Sequence, residues 1–229
     1  RAPRIEVLAG AGHLLPLERP AEVAALILDL AARSAPVPTS AFAALLASDR
    51  VSARTRWLLA ERAVPDDPHA EPATLTAPEL VLLRAVVARV VPHGQPGLDL
   101  AARIDRQLAA GEGDGWRFAD LPGDVTAYRA GLAALAGAGF GDRDGDAQDA
   151  LLRALAAGEI AGEGLSGAQA AHWFEDVCAD AVRLWVAHPA TAARIGYDGA
   201  ANGGDGLRLQ GYQRTGADDR EAWEPEAVR

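Results

Sequence analysis

Residues 10–20 read GAGHLLPLERP: glycines, a lone histidine (His13), and a proline placed to open a helix. A histidine offered from a loop is how many enzymes present a general base. A base, however, needs a nucleophile to activate and an acid to orient it. The serines are Ser34, Ser40, Ser48, Ser52 and Ser166, and none sits in a Gly-x-Ser-x-Gly turn. Ser166 comes nearest, with Gly164 two before it but Ala168 where the second glycine belongs. His13 is therefore catalytic only if a segment outside this chain completes its site.

Three other groupings invite a chemical reading. The stretch DRDGDAQD (residues 142–149) has the look of a calcium loop. Counted from Asp142, however, Ala147 stands where an EF-hand needs glycine and Arg153 where it needs glutamate. The expected role is an acidic helix N-terminus. His172, Asp176 and Asp180 recur every four residues on one helix face, a spacing a metal can use, but no second histidine accompanies them. Trp173 and Phe174 beside them are expected to anchor an interface or the core. Gly162, Gly164 and Gly167 spell Gly-x-Gly-x-x-Gly before a helix, yet a helical stretch precedes them where a dinucleotide site requires a strand. They read as a turn between helices, and no cofactor site is expected in the chain. His69, His93 and His188 each lie near a proline at a helix end. There they are expected to face solvent or cap the backbone.

The elements that must carry these residues are helical. The chain has 229 residues, 49% hydrophobic but only 5% aromatic, with alanine and leucine dominant. That mix favours helices packed through small side chains. The formal charge is −10, the acid excess falls mostly after residue 72, and every basic residue is arginine. A phosphate backbone needs a basic stripe, so no nucleic-acid partner is expected. One cysteine, Cys178, excludes an intrachain disulfide and a multi-cysteine zinc site. No apolar run approaches the ~20 residues of a membrane span. Residues 1–8 lack the pattern of an export signal, so a cytoplasmic location is expected. The opening arginine is expected of a processed product or a piece of a longer polypeptide.

Along the chain, RIEVL (residues 4–8) alternates as one short strand, and a helix from Pro20 to about Ala32 follows it. No second strand follows to pair with the first. SAPVP (residues 34–38) is a linker, helices are expected over 39–47 and 52–63, and VPDDPHAEPA breaks the pattern again. Five stronger helices come next. The first opens on the capping box Thr76–Glu79, buries Leu80, Leu83, Val87 and Val90, and stops before Pro92. The others run about 98–110, about 124–136, from a cap at Asp146, and from the box Ser166–Gln169 to about His188. A short turn of helix follows Pro189. The tail from Tyr197 to Arg229 is irregular and glycine-rich, so it is expected to lie on another surface. The organisation expected is 1–34, a strand-loop-helix piece; 35–73, a helical linker module; and 74–229, an all-α bundle-like domain with its tail.

Two family resemblances lie on these residues. Residues 1–34, with strand, GAGH, proline and helix in order, resemble the C-terminal end of an α/β-hydrolase, which implies that His13 is the last member of a triad. Residues 74–213 resemble the gluconate 2-dehydrogenase subunit 3 family. They do so through LTAPELVLLRAVVARVVPHGQPG, AARIDRQLA, YRAGLAALAG, AQDALLRALAAGE, WFEDVCADAVRLWVAHPA and YDGAANGGDGLRLQGY. Typical members end that last block in a compact Tyr-Gly-Gly-Asn, which Ala200 and Ala201 interrupt here.

The second resemblance implies a non-catalytic accessory subunit in a hetero-oligomer. Its large-subunit partner would be a flavoprotein oxidoreductase of the glucose–methanol–choline (GMC) type that carries the FAD and oxidises an alcohol or sugar. Trp173, Phe174, Tyr197, Asn202, Leu207, Leu209, Tyr212 and Trp223 are the side chains expected at that interface. The alternative reading is the C-terminal part of a hydrolase with a helical extension.

Overall fold

The structure is a computed structural model. It describes residues 8, 10, 19, 22, 23, 25, 26, 39–113, 115–197, 199–201, 203–206, 213, 214, 219–224 and 226. Among these residues the chain is all-helical and has no strand. The eight helices are α1 (Thr39–Ala47), α2 (Ala53–Ala63), α3 (Ala77–Val90), α4 (Leu100–Ala110), α5 (Asp124–Gly137), α6 (Gly145–Ala156), α7 (Gly167–Val186) and α8 (Pro189–Ile195). Of the strand expected at 4–8 only Leu8 is among the described residues, and it is not in a strand; His13 lies outside them. Glu22, Val23, Ala25 and Leu26 are helical, as expected for the stretch after Pro20.

The helix ends follow local chemistry. Thr76 Oγ1 accepts the Glu79 N–H while the Glu79 carboxylate accepts the Thr76 N–H at 2.7 Å, so both halves of the box form. Ser166 and Gln169 repeat it at the start of α7. Asp99 opens α4 by accepting from Ala102, and Gly111 closes it with a left-handed φ of 65° that a glycine adopts without steric cost. The cap of α6 is Asp144, accepting from Ala147 at 3.0 Å, and not Asp146, which lies in the first turn. Either aspartate suits the positive end of a helix; the extended backbone at Asp144 decides between them.

The described chain forms two compact units, one of residues 64–187 and one joining 1–63 to 188–229. The tail thus groups with the preceding helical module, across the boundary expected at residue 74. In the first unit α3 packs on α4, α5, α6 and α7, and α7 packs in turn on α4, α5 and α6. Leu83, Val86, Leu135, Phe140, Leu155, Ala170, Trp173, Val177 and Ala181 are wholly excluded from solvent there. Gly131, in the middle of α5, is where the Trp173 indole lies: a Cβ at that position would run into the ring. An interior glycine weakens a helix by about 0.5–1 kcal/mol relative to alanine. Burying a tryptophan contributes more than that.

The glycines of 158–167 have the same explanation. Gly162 closes a single bridge to Leu165 and presses on Ala134, Gly164 has φ +88°, and a Cβ on Gly167 would collide with the Gly158 carbonyl. Gly-x-Gly-x-x-Gly here is a tight turn joining α6 to α7.

Asp105 holds down the chain entering α3. It is 2% exposed, and its carboxylate accepts the backbone N–H groups of Ala73, Thr74 and Leu75. Asp66 does comparable work one loop away. It accepts from the Asp99 N–H and from Arg103 and Arg106. Burial pushes the Asp66 carboxyl up, but these donors outweigh it and hold it below the ordinary value.

In the second unit, α8 packs on α1 and α2, and Phe42 meets Ala192 and Ala193. The tail folds back onto the turn between α1 and α2. Gly203 N–H donates to the Arg50 carbonyl, and Asp205 accepts from Ala53 at the start of α2. Gly204 lies so close that a Cβ would clash with the Asp49 carbonyl. Ala201, one of the two alanines that interrupt the expected Tyr-Gly-Gly-Asn block, is fully buried against Leu45 and Val51.

Candidate functional site

The residues picked out for chemistry separate once the helices are in place. His172 turns away from Asp176 and Asp180. Its Nδ1–H donates to the Asp120 carboxylate at 3.0 Å, and its ring stacks on Phe118 at 4.0 Å between centroids. Phe118 in turn meets Trp116 edge-on at 4.5 Å. Asp180 accepts the Tyr128 hydroxyl at 2.6 Å on one oxygen and Arg183 at 2.7 Å on the other. The four-residue spacing therefore serves two hydrogen-bonding networks. Among the described residues no group of three or more His, Cys, Asp or Glu side chains is arranged to hold a metal ion.

Of DRDGDAQD, Asp144 caps a helix and Asp149 makes a two-pronged pair with Arg89 at 2.7 and 2.6 Å. Burial, reinforced by Glu175, pushes the Cys178 thiol up to about 11, so it stays protonated and unreactive at neutral pH. His188 caps α8, with its Nδ1 accepting from Ala190, and the His93 Nδ1 accepts from Gln95.

The expected interface residues have different fates. Trp173 is a correction: it is 0% exposed and sits at the centre of the body's own core, edge-on to Tyr128. A side chain so enclosed has no surface to offer a partner. Phe174 is half-buried against the same core. Trp223 is half-buried too, packed against the cluster of Leu45, Val51 and Ala201 with the Arg50 guanidinium 4.5 Å above its ring. Tyr197 alone of the four is exposed, at 56%. Asn202, Leu207, Leu209 and Tyr212 lie outside the described residues.

The structure adds surface residues that the sequence reading missed. On the body, Val81, Trp116, Val182 and Val186 are exposed large hydrophobic side chains. Val182 and Val186 are one turn apart on α7, off the face that buries Trp173, Val177 and Ala181. The four-residue spacing of those valines is a signal the sequence does contain. Trp116 has none, because it lies in a loop that joins α4 to α5.

The family model of gluconate 2-dehydrogenase subunit 3 matches residues 77–204. The chain belongs to the gluconate 2-dehydrogenase subunit 3 family. The matched span holds all of α3 to α8, and membership makes the chain kin to an accessory subunit of a dehydrogenase complex. The hydrolase resemblance of residues 1–34 gains no support from it. No curated protein and no solved structure matches the chain. None of the helices among the described residues is long and apolar enough to cross a membrane.

Proposed function

We propose that this chain is a non-catalytic accessory subunit that binds and stabilises a flavin-dependent oxidoreductase of the GMC type. The FAD resides in that partner, which oxidises an alcohol or sugar. The observation that carries the reading is the family match across more than half of the chain, over an unbroken run of helices. Exposed apolar groups on that body supply a means of docking. Val182 and Val186, one turn apart on α7, form the centre of the proposed contact.

The test is to co-express the chain, tagged, with the oxidoreductase large subunit from its source and capture it under native conditions. A flavin-absorbing large subunit that co-elutes and survives gel filtration is the expected result. The chain alone should be colourless. A chain that elutes alone, or that itself carries the flavin, overturns the reading.

A further inference from the structure

α2 has two sides of different character. Leu58 and Leu59 lie half-buried on one of them, and the helix packs on α8. The opposite side carries Ala53, Trp57 and Ala60, spaced four and three residues apart so that they form one row. All three are exposed, and Trp57 is 61% open to solvent. None of the side chains of α2 is fully buried. A helix of 11 residues is marginal in water unless one face is packed. Tryptophan is among the side chains with the most area to bury.

Charge runs along the same row. Arg54 and Glu61 flank it on one edge, both exposed. They stand about 10.5 Å apart along the axis, too far to pair with each other. Among the described residues neither makes an ion pair or a hydrogen bond. Each also stands where its own helix disfavours it, the cation in the first turn and the anion in the last, against the macrodipole. Arg62, the basic residue of the last turn, lies about 100° farther round the helix.

A second α2 laid antiparallel answers each of these features. A two-fold axis across the row brings Arg54 of each copy to Glu61 of the other. It lays the Trp57 indole over Ala60 of the other copy, where a methyl leaves room for it, and sets the two helix dipoles in opposition. A parallel pairing would put Arg54 against Arg54. The face is complementary to itself in the antiparallel sense, which is the condition for an isologous two-fold contact.

We propose that this chain self-associates through α2, as an antiparallel pair anchored by Trp57 and closed at its edge by two Arg54–Glu61 ion pairs. The helix spans only ~16 Å. The contact is smaller than a standard interface, so the dimer is weak and reversible.

The test is sedimentation equilibrium of the whole chain, without a flavoprotein, between about 1 and about 100 µM, a range that brackets a weak contact of ~10 µM. The wild type should pass from monomer to dimer. Trp57→Glu, at an exposed position, should melt like the wild type and stay monomeric. Arg54→Glu and Glu61→Arg should each weaken dimerisation by ~10-fold, since like charges then meet twice. The double exchange Arg54→Glu, Glu61→Arg should restore it. An equimolar mixture of the two single variants should restore it too, because each copy supplies the charge the other lacks. Only a second copy of the chain can provide that rescue.

A chain monomeric throughout, a Trp57→Glu variant that dimerises like the wild type, or a mixture that associates no better than its components would each overturn the proposal. A monomeric chain whose Trp57→Glu variant loses the flavoprotein would overturn it as well, and would give the row to that partner. Because the chain is measured alone, the result is independent of whether it docks on an oxidoreductase.

Discussion

The body of residues 64–187 and the unit that joins 39–63 to the tail are both helical, but they are held together differently. In the body, five helices share one core, and large side chains recur at three- and four-residue steps toward it. Among the described residues of the other unit, two short helices and α8 bury small clusters, three residues in each, and the tail completes one of them with Ala201. Contiguous amphipathic helices announce their own core. A surface closed by a distant irregular segment depends on single contacts: Asp205 on the Ala53 N–H, Gly204 against the Asp49 carbonyl, Trp223 under Arg50.

The body should break most sharply at its centre. Trp173→Ala removes the largest fully buried side chain and is expected to cost about 3–5 kcal/mol. Gly131→Ala forces a methyl into the space the indole occupies, for about 1–3 kcal/mol. Thermal unfolding of both variants checks the order. If Trp173→Ala melts like the wild type, the residue does not anchor the core.

The second unit should respond locally. Removing residues 199–229 uncovers Leu45 and Val51, so backbone amides of α1 and α2 should lose protection from hydrogen exchange while those of α3 to α7 keep it. Equal loss in both would erase the distinction between the units. Trp223→Ala alone should reproduce the same pattern at about 1 kcal/mol or less, the scale of one partly exposed cation–π contact.

Two aspartates sharpen the comparison at smaller scale. Asp105→Asn keeps the shape but removes the charge that accepts three backbone N–H groups, and should cost about 1–3 kcal/mol. Asp66 adds a pH dependence. Its folded carboxyl titrates below the ordinary 3.8, so its contribution is complete above that value and is lost as pH falls through the folded pKa. Denaturant midpoints measured from pH 6 down to pH 2 should fall less steeply for Asp66→Asn than for the wild type. Parallel curves would show that Asp66 is not held down by its arginines.

What was legible in the sequence follows the same division. Capping boxes at Thr76 and Ser166 and the periodicity of Leu80, Leu83, Val87 and Val177 are local signals, and the helices they foretell are present. The roles of Trp173 and the tail were not legible. Periodicity puts an aromatic on a face without saying whether that face meets another helix or a partner. Only Gly131, 42 residues earlier in the chain, reveals that the indole has a seat inside. Likewise Ala201 reads as a break in a family motif until Leu45 and Val51, some 150 residues away, are placed around it.

The proposed docking of the helical body on a flavoprotein runs through the exposed side of α7. The most direct measurement is sedimentation of the chain co-expressed with the large subunit, comparing wild type with a Val182→Asp, Val186→Asp double variant. Both valines are exposed, at 45% and 43%, so the variant should melt like the wild type. A flavin-bearing heteromer is expected for the wild type and separate species for the variant. A variant that sediments with the flavoprotein as the wild type does, or a wild type that never joins it, would contradict the claim.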